Sequence, residues 1–263
     1  MTVRDFVTRK AAGDKLVVIT AYDALFARLV EEAGVDAVLV GDSVGNVLAG
    51  FETTLPVTLD QMIYHAASVR RGTTRAMVIV DMPFLTYQVS AEQALQNCGR
   101  VVKETGAHAV KMEGAGADTL RAVRAVTGAG VPVMGHLGFT PQSVLSLGGY
   151  RVQGRETAQA DRLIADARAL ESAGVFSIVL ELIPSDVAAR VTEAVKVPTI
   201  GIGAGPHCDG QVLVLQDMLG LNEGFHPKFL KRYAELGRQV RDAVTRYRDE
   251  VRGGEYPDDA HSF

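Results

Sequence analysis

Short runs of apolar, β-branched residues in this chain repeatedly end on an ionisable side chain. Asp42 follows Ala37–Val40 and Asp81 follows Ala76–Val80; Lys111 lies within Ala109–Met112 with Glu113 just past it; His136 follows Val131–Met134 and Glu181 follows Ser177–Leu180. A charge beside an apolar run is costly to bury unless it has a partner or a task. Asp42 and Asp81 each precede a loop, so helix capping explains neither, whereas Asp23 has an amphipathic helix behind it and reads as an N-cap. Two carboxylates aimed at one point, with room for water and substrate oxygens, suit Mg²⁺, which usually takes one or two protein carboxylates. Glu113 can join them through water; the alternative is an unrelated set of rim carboxylates. Lys111 alternates with Val110 and Met112, and an inward Lys must pair with a carboxylate or bind an anionic substrate. His136 reads either as a hydrogen-bonded structural residue or as part of the site. Glu181 precedes Leu182-Ile183-Pro184, and hydrophobic surroundings raise a carboxylate toward the range of a general base, which makes it the candidate for proton abstraction.

The elements that must carry these groups follow a recurring joint, in which an amphipathic helix ends at Gly and runs into an apolar strand. Glu32-Ala33-Gly34-Val35, Glu104-Thr105-Gly106-Ala107 and Ser172-Ala173-Gly174-Val175 are three copies. Gly suits the left-handed position that closes a helix, and a continuous apolar run reads as a strand covered on both faces. Besides Leu16–Thr20, Ala37–Val40, Ala76–Val80, Ala109–Met112, Val131–Met134 and Ser177–Leu180, such runs occur at Pro198–Ile202 and Val212–Leu215, eight in all. Helical stripes separate most of them, for example Leu95, Cys98, Val101 and Val102. Helix starts are predicted at Thr58, three residues before Gln61, at Ser90, three before Gln93, and at Pro184-Ser185. A last helix is expected from about Pro227 to Val251. The pattern predicts an α/β fold, a single (β/α)8 TIM-type barrel over residues 1–263 with a short N-terminal lead-in and an irregular tail from about 252. Gly203–Gly210 leaves no room for a full helix, and a doubly wound open sheet is the alternative. In a barrel, loops from all strands converge at the C-terminal ends, which is where the ionisable residues fall.

Composition narrows the partners. Among 263 residues, 27 Lys and Arg against 31 Asp and Glu leave a net charge of −4, without a basic patch, so neither nucleic acid nor an anionic membrane is expected. Two cysteines, Cys98 and Cys208, are too few for a disulfide framework and lack metal spacing; Cys98 reads as a core residue. No leader-like or membrane-spanning apolar run is present, and a cytoplasmic protein is the expectation. Two long loops, Gly45 to Pro56 and Gly138 to Gly154, lie at the active end and suggest lids or partner surfaces. Gly201-Ile202-Gly203-Ala204-Gly205 is not followed by an ordinary helix, so it reads as a tight rim turn and not as a dinucleotide fingerprint.

The residues Ile19-Thr20-Ala21-Tyr22-Asp23, Val40-Gly41-Asp42-Ser43-Val44-Gly45, Thr54-Leu55-Pro56-Val57-Thr58, Val110-Lys111-Met112-Glu113-Gly114, Gly135-His136-Leu137-Gly138-Phe139-Thr140-Pro141-Gln142 and Ile200-Gly201-Ile202-Gly203-Ala204-Gly205 stand in order. In these motifs the chain resembles the ketopantoate hydroxymethyltransferase family of pantothenate biosynthesis, from about Thr20 to His261-Ser262-Phe263. The resemblance implies one Mg²⁺ per subunit held by Asp42, Asp81 and Glu113, and a 2-oxoacid bound with help from Ser43, Lys111 and His136. It implies Glu181 as the proton acceptor. The implied reaction transfers a hydroxymethyl group from 5,10-methylenetetrahydrofolate to 3-methyl-2-oxobutanoate through a Mg²⁺-stabilised enolate, giving 2-dehydropantoate. It also implies a homo-oligomer, a decamer of barrels. Departures from the family pattern at Asn46, Leu85-Thr86 and Gly116 lie beside the inferred catalytic groups and bear on loop contacts. The nearest rival is another Mg²⁺-dependent 2-oxoacid enolate enzyme, of the phosphoenolpyruvate mutase or isocitrate lyase kind. A lyase of that kind is expected to carry a catalytic Cys in an active-end loop, whereas Cys98 lies on a helix and Cys208 in another loop. A non-catalytic anion-binding barrel leaves Asp42, Asp81 and Glu181 unexplained.

Overall fold

Eight parallel strands close on themselves in chain order: β1 (Leu16–Thr20), β2 (Ala37–Val40), β3 (Met77–Asp81), β4 (Ala109–Glu113), β5 (Val133–Gly138), β6 (Ser177–Glu181), β7 (Thr199–Ile202) and β8 (Gly210–Leu213), with β8 returning to β1. The structure is a computed structural model and describes all 263 residues. The closed parallel sheet with its intervening helices is a (β/α)8 barrel, and the open-sheet alternative falls. The helices are α1 (Val3–Ala12), α2 (Ala24–Glu32), α3 (Val44–Val47), α4 (Leu59–Gly72), α5 (Ala91–Thr105), α6 (Ala117–Gly128), α7 (Val144–Leu147), α8 (Thr157–Ser172), α9 (Ser185–Ala194), α10 (Leu215–Met218) and α11 (Leu236–Gly253).

Local signals set most boundaries. The Asp23 carboxylate accepts the Phe26 N–H at 2.9 Å to open α2, and Thr58 and Ser90 cap α4 and α5 in the same way. Gly106 closes α5 at φ +72°, a conformation that disfavours any side chain. Cys98 is buried on the inner stripe of α5. As expected, β7 and β8 are joined with no helix between them. Three strands run one residue further than their apolar runs, so that Asp81, Glu113 and Glu181 are themselves the last strand residues. The fifth strand begins at Val133, not Val131, because Pro132 has no N–H to add to the ladder, and it continues to Gly138 with His136 inside it. The eighth begins two residues early, at Gly210, and Leu215 opens α10.

Side chains alternate along a strand, so every second residue points into the barrel. Leu16, Val18, Ala37, Leu39, Met77, Ile79, Ala109, Met134, Val179, Ile200 and Val212 form one buried cluster. Phe6 of α1 joins it and meets Phe176 edge-on, with ring centroids 5.4 Å apart.

The chain comprises two compact units, Met1–Val214, which holds all eight strands, and Leu215–Phe263. In the second unit the last helix starts at Leu236, not near Pro227. Arg232 donates from one nitrogen to the carbonyls of Asn222 at 2.9 Å and Glu223 at 3.0 Å, which holds the preceding segment in turns. Arg241 clasps Glu223 through two bonds of 2.6 and 2.8 Å. Past residue 252, where an irregular tail was expected, α11 closes at Gly254 and one 3₁₀ turn forms at Asp259–His261.

The turn into β3 hangs on a single buried carboxylate. Glu31, at the end of α2, accepts the backbone N–H groups of Thr74 at 2.8 Å, Arg75 at 2.7 Å and Ala76 at 2.8 Å, and the Thr74 hydroxyl at 2.9 Å. Burial, the largest single influence, raises its pKa, but the four donors outweigh it and lower the value from 4.5 to about 2. A depressed carboxylate stabilises the fold above its unfolded value and loses that contribution as pH falls toward the folded value. Glu31→Gln is therefore expected to cost about 1.5–3 kcal/mol at pH 7 in urea unfolding. The difference from the parent should shrink between pH 4.5 and about 2. An equal deficit at both ends of that window counts against the carboxylate.

Candidate active site

The same alternation that builds the barrel core places the charged groups above it. Counting by two from the core residues Met77 and Ile79 gives Asp81; from Ala109 it gives Lys111 and Glu113; from Met134 it gives His136; from Val179 it gives Glu181. Register aligns them, with Asp81 beside Lys111 and Glu113 beside His136 across neighbouring strands. Gly138 stands beside Glu181 at φ +92°, and a side chain there would run into the Glu181 carbonyl.

The groups form one connected cluster. Lys111 Nζ lies 2.7 Å from Asp81 Oδ1, 3.9 Å from Glu113 Oε1 and 3.2 Å from His136 Nδ1. His136 Nδ1 lies 3.3 Å from Glu113 Oε1, and its Nε2 lies 3.2 Å from Glu181 Oε2, an ion-pair contact too bent for a hydrogen bond. The Asp42 backbone N–H donates to Asp81 Oδ2 at 3.0 Å. Ser43 follows; its hydroxyl and Asp81 Oδ2 both face Gly41, and it shares a 2.8 Å hydrogen bond with the Tyr22 hydroxyl. Asp42, Asp81, Lys111, Glu113 and His136 are buried, whereas the Glu181 side chain is 15% exposed and so faces the mouth. The apolar surroundings expected of Glu181 are replaced by the His136 ring on one side, because β5 runs on past His136 and brings that ring level with the end of β6. A four-residue helix, α3, follows Asp42 where a loop was expected, and Ser43, not Asp42, stands at its N-cap.

Burial and charge contend at every position. Burial, then the neighbouring Asp81 and Glu113, push Asp42 up to about 8. Burial also raises Asp81 against the pull of Lys111. Burial and Lys111 act to lower His136, but Glu113 and Glu181 outweigh them and raise it to about 9. Lys111 is driven up too, its burial overcome by Asp81, Glu113 and Asp42. Burial raises Glu113, but the contact with His136 and the charges of His136 and Lys111 outweigh it and move it down.

With all four carboxylates ionised the cluster would exceed its two cationic side chains by two negative charges; burial instead raises Asp42, so that it keeps a proton near neutrality, and a divalent cation would balance the charge that its ionisation exposes. No three carboxylate, imidazole or thiol groups converge at metal-ligand spacing, and the Lys111 ammonium lies between Asp81 and Glu113. The donor chemistry nevertheless fits a hard cation. The carboxylates offer oxygen only, Glu113 Oε1 is buried without a hydrogen-bond partner, and Mg²⁺ takes few protein ligands and keeps several waters.

Three further residues belong to the cluster that sequence reasoning left without a role. Besides Tyr22, Tyr87 and Gln142 are buried beside Glu113 and Asp42. Gln142 stood in a quoted motif, but a buried amide in a loop looks like any surface Gln until its contacts are known.

A profile of the ketopantoate hydroxymethyltransferase family matches residues 1–259. The 3-methyl-2-oxobutanoate hydroxymethyltransferase of Pelobacter propionicus is 55% identical over 263 aligned residues, which cover 100% of this chain and 97% of that protein. That of Prosthecochloris aestuarii is 54% identical over 267 aligned residues, covering 100% and 96%. Among solved structures, 2,3-dimethylmalate lyase, a member of the PEP mutase/isocitrate lyase superfamily, has a TM-score of 0.63 at 16% identity, covering 99% of this chain and 91% of that one. Phosphonopyruvate hydrolase in complex with oxalate and Mg²⁺ has a TM-score of 0.62 at 13% identity, covering 99% and 93%. These two share the fold. Identity above one half over the whole length is a different order of likeness, and on it the chain belongs to the ketopantoate hydroxymethyltransferase family.

Proposed function

We propose that this protein transfers a hydroxymethyl group from 5,10-methylenetetrahydrofolate to C3 of 3-methyl-2-oxobutanoate, giving 2-dehydropantoate. The observation that carries the reading is the Glu181 carboxylate at the barrel mouth beside a buried cluster of Asp42, Asp81, Lys111 and Glu113. A base stands next to a site suited to a cation and an anionic oxoacid. The relatives' names supply the reaction.

In this reading Asp42, Asp81 and Glu113 hold Mg²⁺. The ion, when bound, supplies a Lewis acid that draws electron density from the keto oxygen and so acidifies the neighbouring C–H. Lys111 and the Ser43 hydroxyl hold and orient the oxoacid carboxylate, with the Tyr22 hydroxyl fixing that of Ser43. Glu181 takes the C3 proton, and His136 keeps its carboxylate aimed at the mouth. The C3 electron pair then forms the new bond to the methylene carbon. Both bonds from that carbon to the folate nitrogens break, water provides the hydroxyl, and the proton held by Glu181 and the second proton of that water pass to the two nitrogens as tetrahydrofolate leaves. Assembly with like chains belongs to the same reading; its support is the stripe of Val240, Val244, Tyr247 and Val251 on α11, all exposed. No helix is long and apolar enough to cross a membrane, and a cytoplasmic location is part of the proposal.

The test is a direct assay with 3-methyl-2-oxobutanoate, methylenetetrahydrofolate and Mg²⁺, run beside the same mixture with a chelator in excess. 2-Dehydropantoate should form in the first and not in the second. No product with Mg²⁺ present rejects the reaction, and equal product in both rejects the metal.

A further inference from the structure

The loop after β5 reaches across the barrel mouth to both ends of the acidic cluster through one residue. Gln142 donates its backbone N–H to Glu113 Oε2 at 3.0 Å, and its Nε2 donates to Asp42 Oδ2 and to the Met82 carbonyl, each at 2.9 Å. Its Oε1 accepts from the Tyr87 hydroxyl at 2.9 Å and from Gln88 Nε2 at 3.0 Å. Tyr87 in turn accepts the Glu113 backbone N–H at 3.0 Å.

This arrangement has one orientation only. Asp42 and the Met82 carbonyl are acceptors, so they demand the amide nitrogen. The Tyr87 oxygen already accepts from Glu113, so its single proton is free to go to the amide oxygen. A flipped amide would turn its oxygen onto the Met82 carbonyl, and Gln142 is buried.

Residue type matters as much as geometry. The cluster already has more carboxylates than cationic side chains, so a Glu here would add another, and a Lys or Arg would take the place of the charge that a cation must supply. An amide can donate to Asp42 without either effect. Each carboxylate it touches has one oxygen taken, and the Glu113 oxygen left over, Oε1, is the one buried without a hydrogen-bond partner.

We infer that Gln142, locked by Tyr87, is a positioning residue that turns Asp42 and Glu113 toward a common divalent cation and so ties the order of the β5 loop to metal affinity. The inference rests on the metal site proposed above. Partners of metal ligands at this remove typically govern affinity by about 10–100-fold.

Mn²⁺ is the probe, with free ion followed by its electron paramagnetic resonance signal in titrations of the full chain. Gln142→Met keeps the volume and the backbone N–H to Glu113 and removes the side-chain donors to Asp42 and Met82 and the acceptor facing Tyr87. It should weaken Mn²⁺ binding about 10–100-fold, with far-UV circular dichroism and cooperative melting retained. Tyr87→Phe, which loses one oxygen, should weaken it in the same direction by about threefold or more. Gln142→Met that folds and binds Mn²⁺ as the parent does overturns the inference. Should Gln142→Met fail to fold, Tyr87→Phe decides, and an unchanged affinity there overturns it equally. Failure of the parent itself to bind millimolar Mn²⁺ instead removes the metal site, and the inference with it.

Discussion

Glu181→Gln is expected to slow exchange of the C3 proton of 3-methyl-2-oxobutanoate for deuterium, measured without folate, by about 10²–10⁴-fold. Gln has the same shape but cannot take a proton, so the loss reports the base and not the packing. Binding of the oxoacid in the presence of Mg²⁺ should survive, because Lys111, Ser43 and the Asp42–Asp81–Glu113 group are untouched. His136 loses its 3.2 Å contact and keeps Glu113 at 3.3 Å, so the ring stays in place. That ring is a poor substitute base, because its raised pKa keeps it protonated near neutrality. Exchange at the parent rate would remove Glu181 from the role and point to His136, the titratable group in contact with it.

The second large effect is expected from Lys111→Met. Lys111 is buried against Asp81 at 2.7 Å, and the cluster has more carboxylates than cations even with it present. Its loss leaves Asp81 and Glu113 buried without their ammonium partner. Removing one partner of a buried pair costs about 3–5 kcal/mol, a large fraction of the stability of an ordinary domain. Urea unfolding at pH 7 should show that loss in the metal-free protein, and Mg²⁺ should recover part of it. Asp81→Asn removes a negative charge from the same pair and leaves Glu113 and Asp42 near the ammonium, so its cost in stability should be smaller. Its cost falls on Mg²⁺ affinity instead, read by titration in the presence of the oxoacid. Equal destabilisation by the two variants would contradict the charge surplus.

Much of this site is visible before folding because a parallel barrel strand is written as a continuous apolar run, and an ionisable residue at its end breaks the pattern. Asp81, Glu113 and Glu181 stand out for that reason, as does Lys111 within its run. The helix starts at Asp23, Thr58 and Ser90 depend on hydrogen bonds three residues apart, and such local bonds are legible in one dimension. Boundaries moved where the deciding interaction is remote. Pro132 shortened the start of β5 by removing a donor to its neighbour, and Arg232 held residues ahead of α11 in turns by reaching back to Asn222 and Glu223.

Sequence alone determined the order of the eight strands and of the longer helices between them, the inward position of Lys111 through two-residue alternation, and the family motifs. Local periodicity and capping are sufficient for these, because their partners lie within a few residues. Tertiary structure decided the rest. It set His136 between Glu113 and Glu181, and brought Gln142 across 100 positions to Asp42. Closing the barrel is what joins strand ends distant in sequence, and the charge surplus exists only once they share one water-poor space.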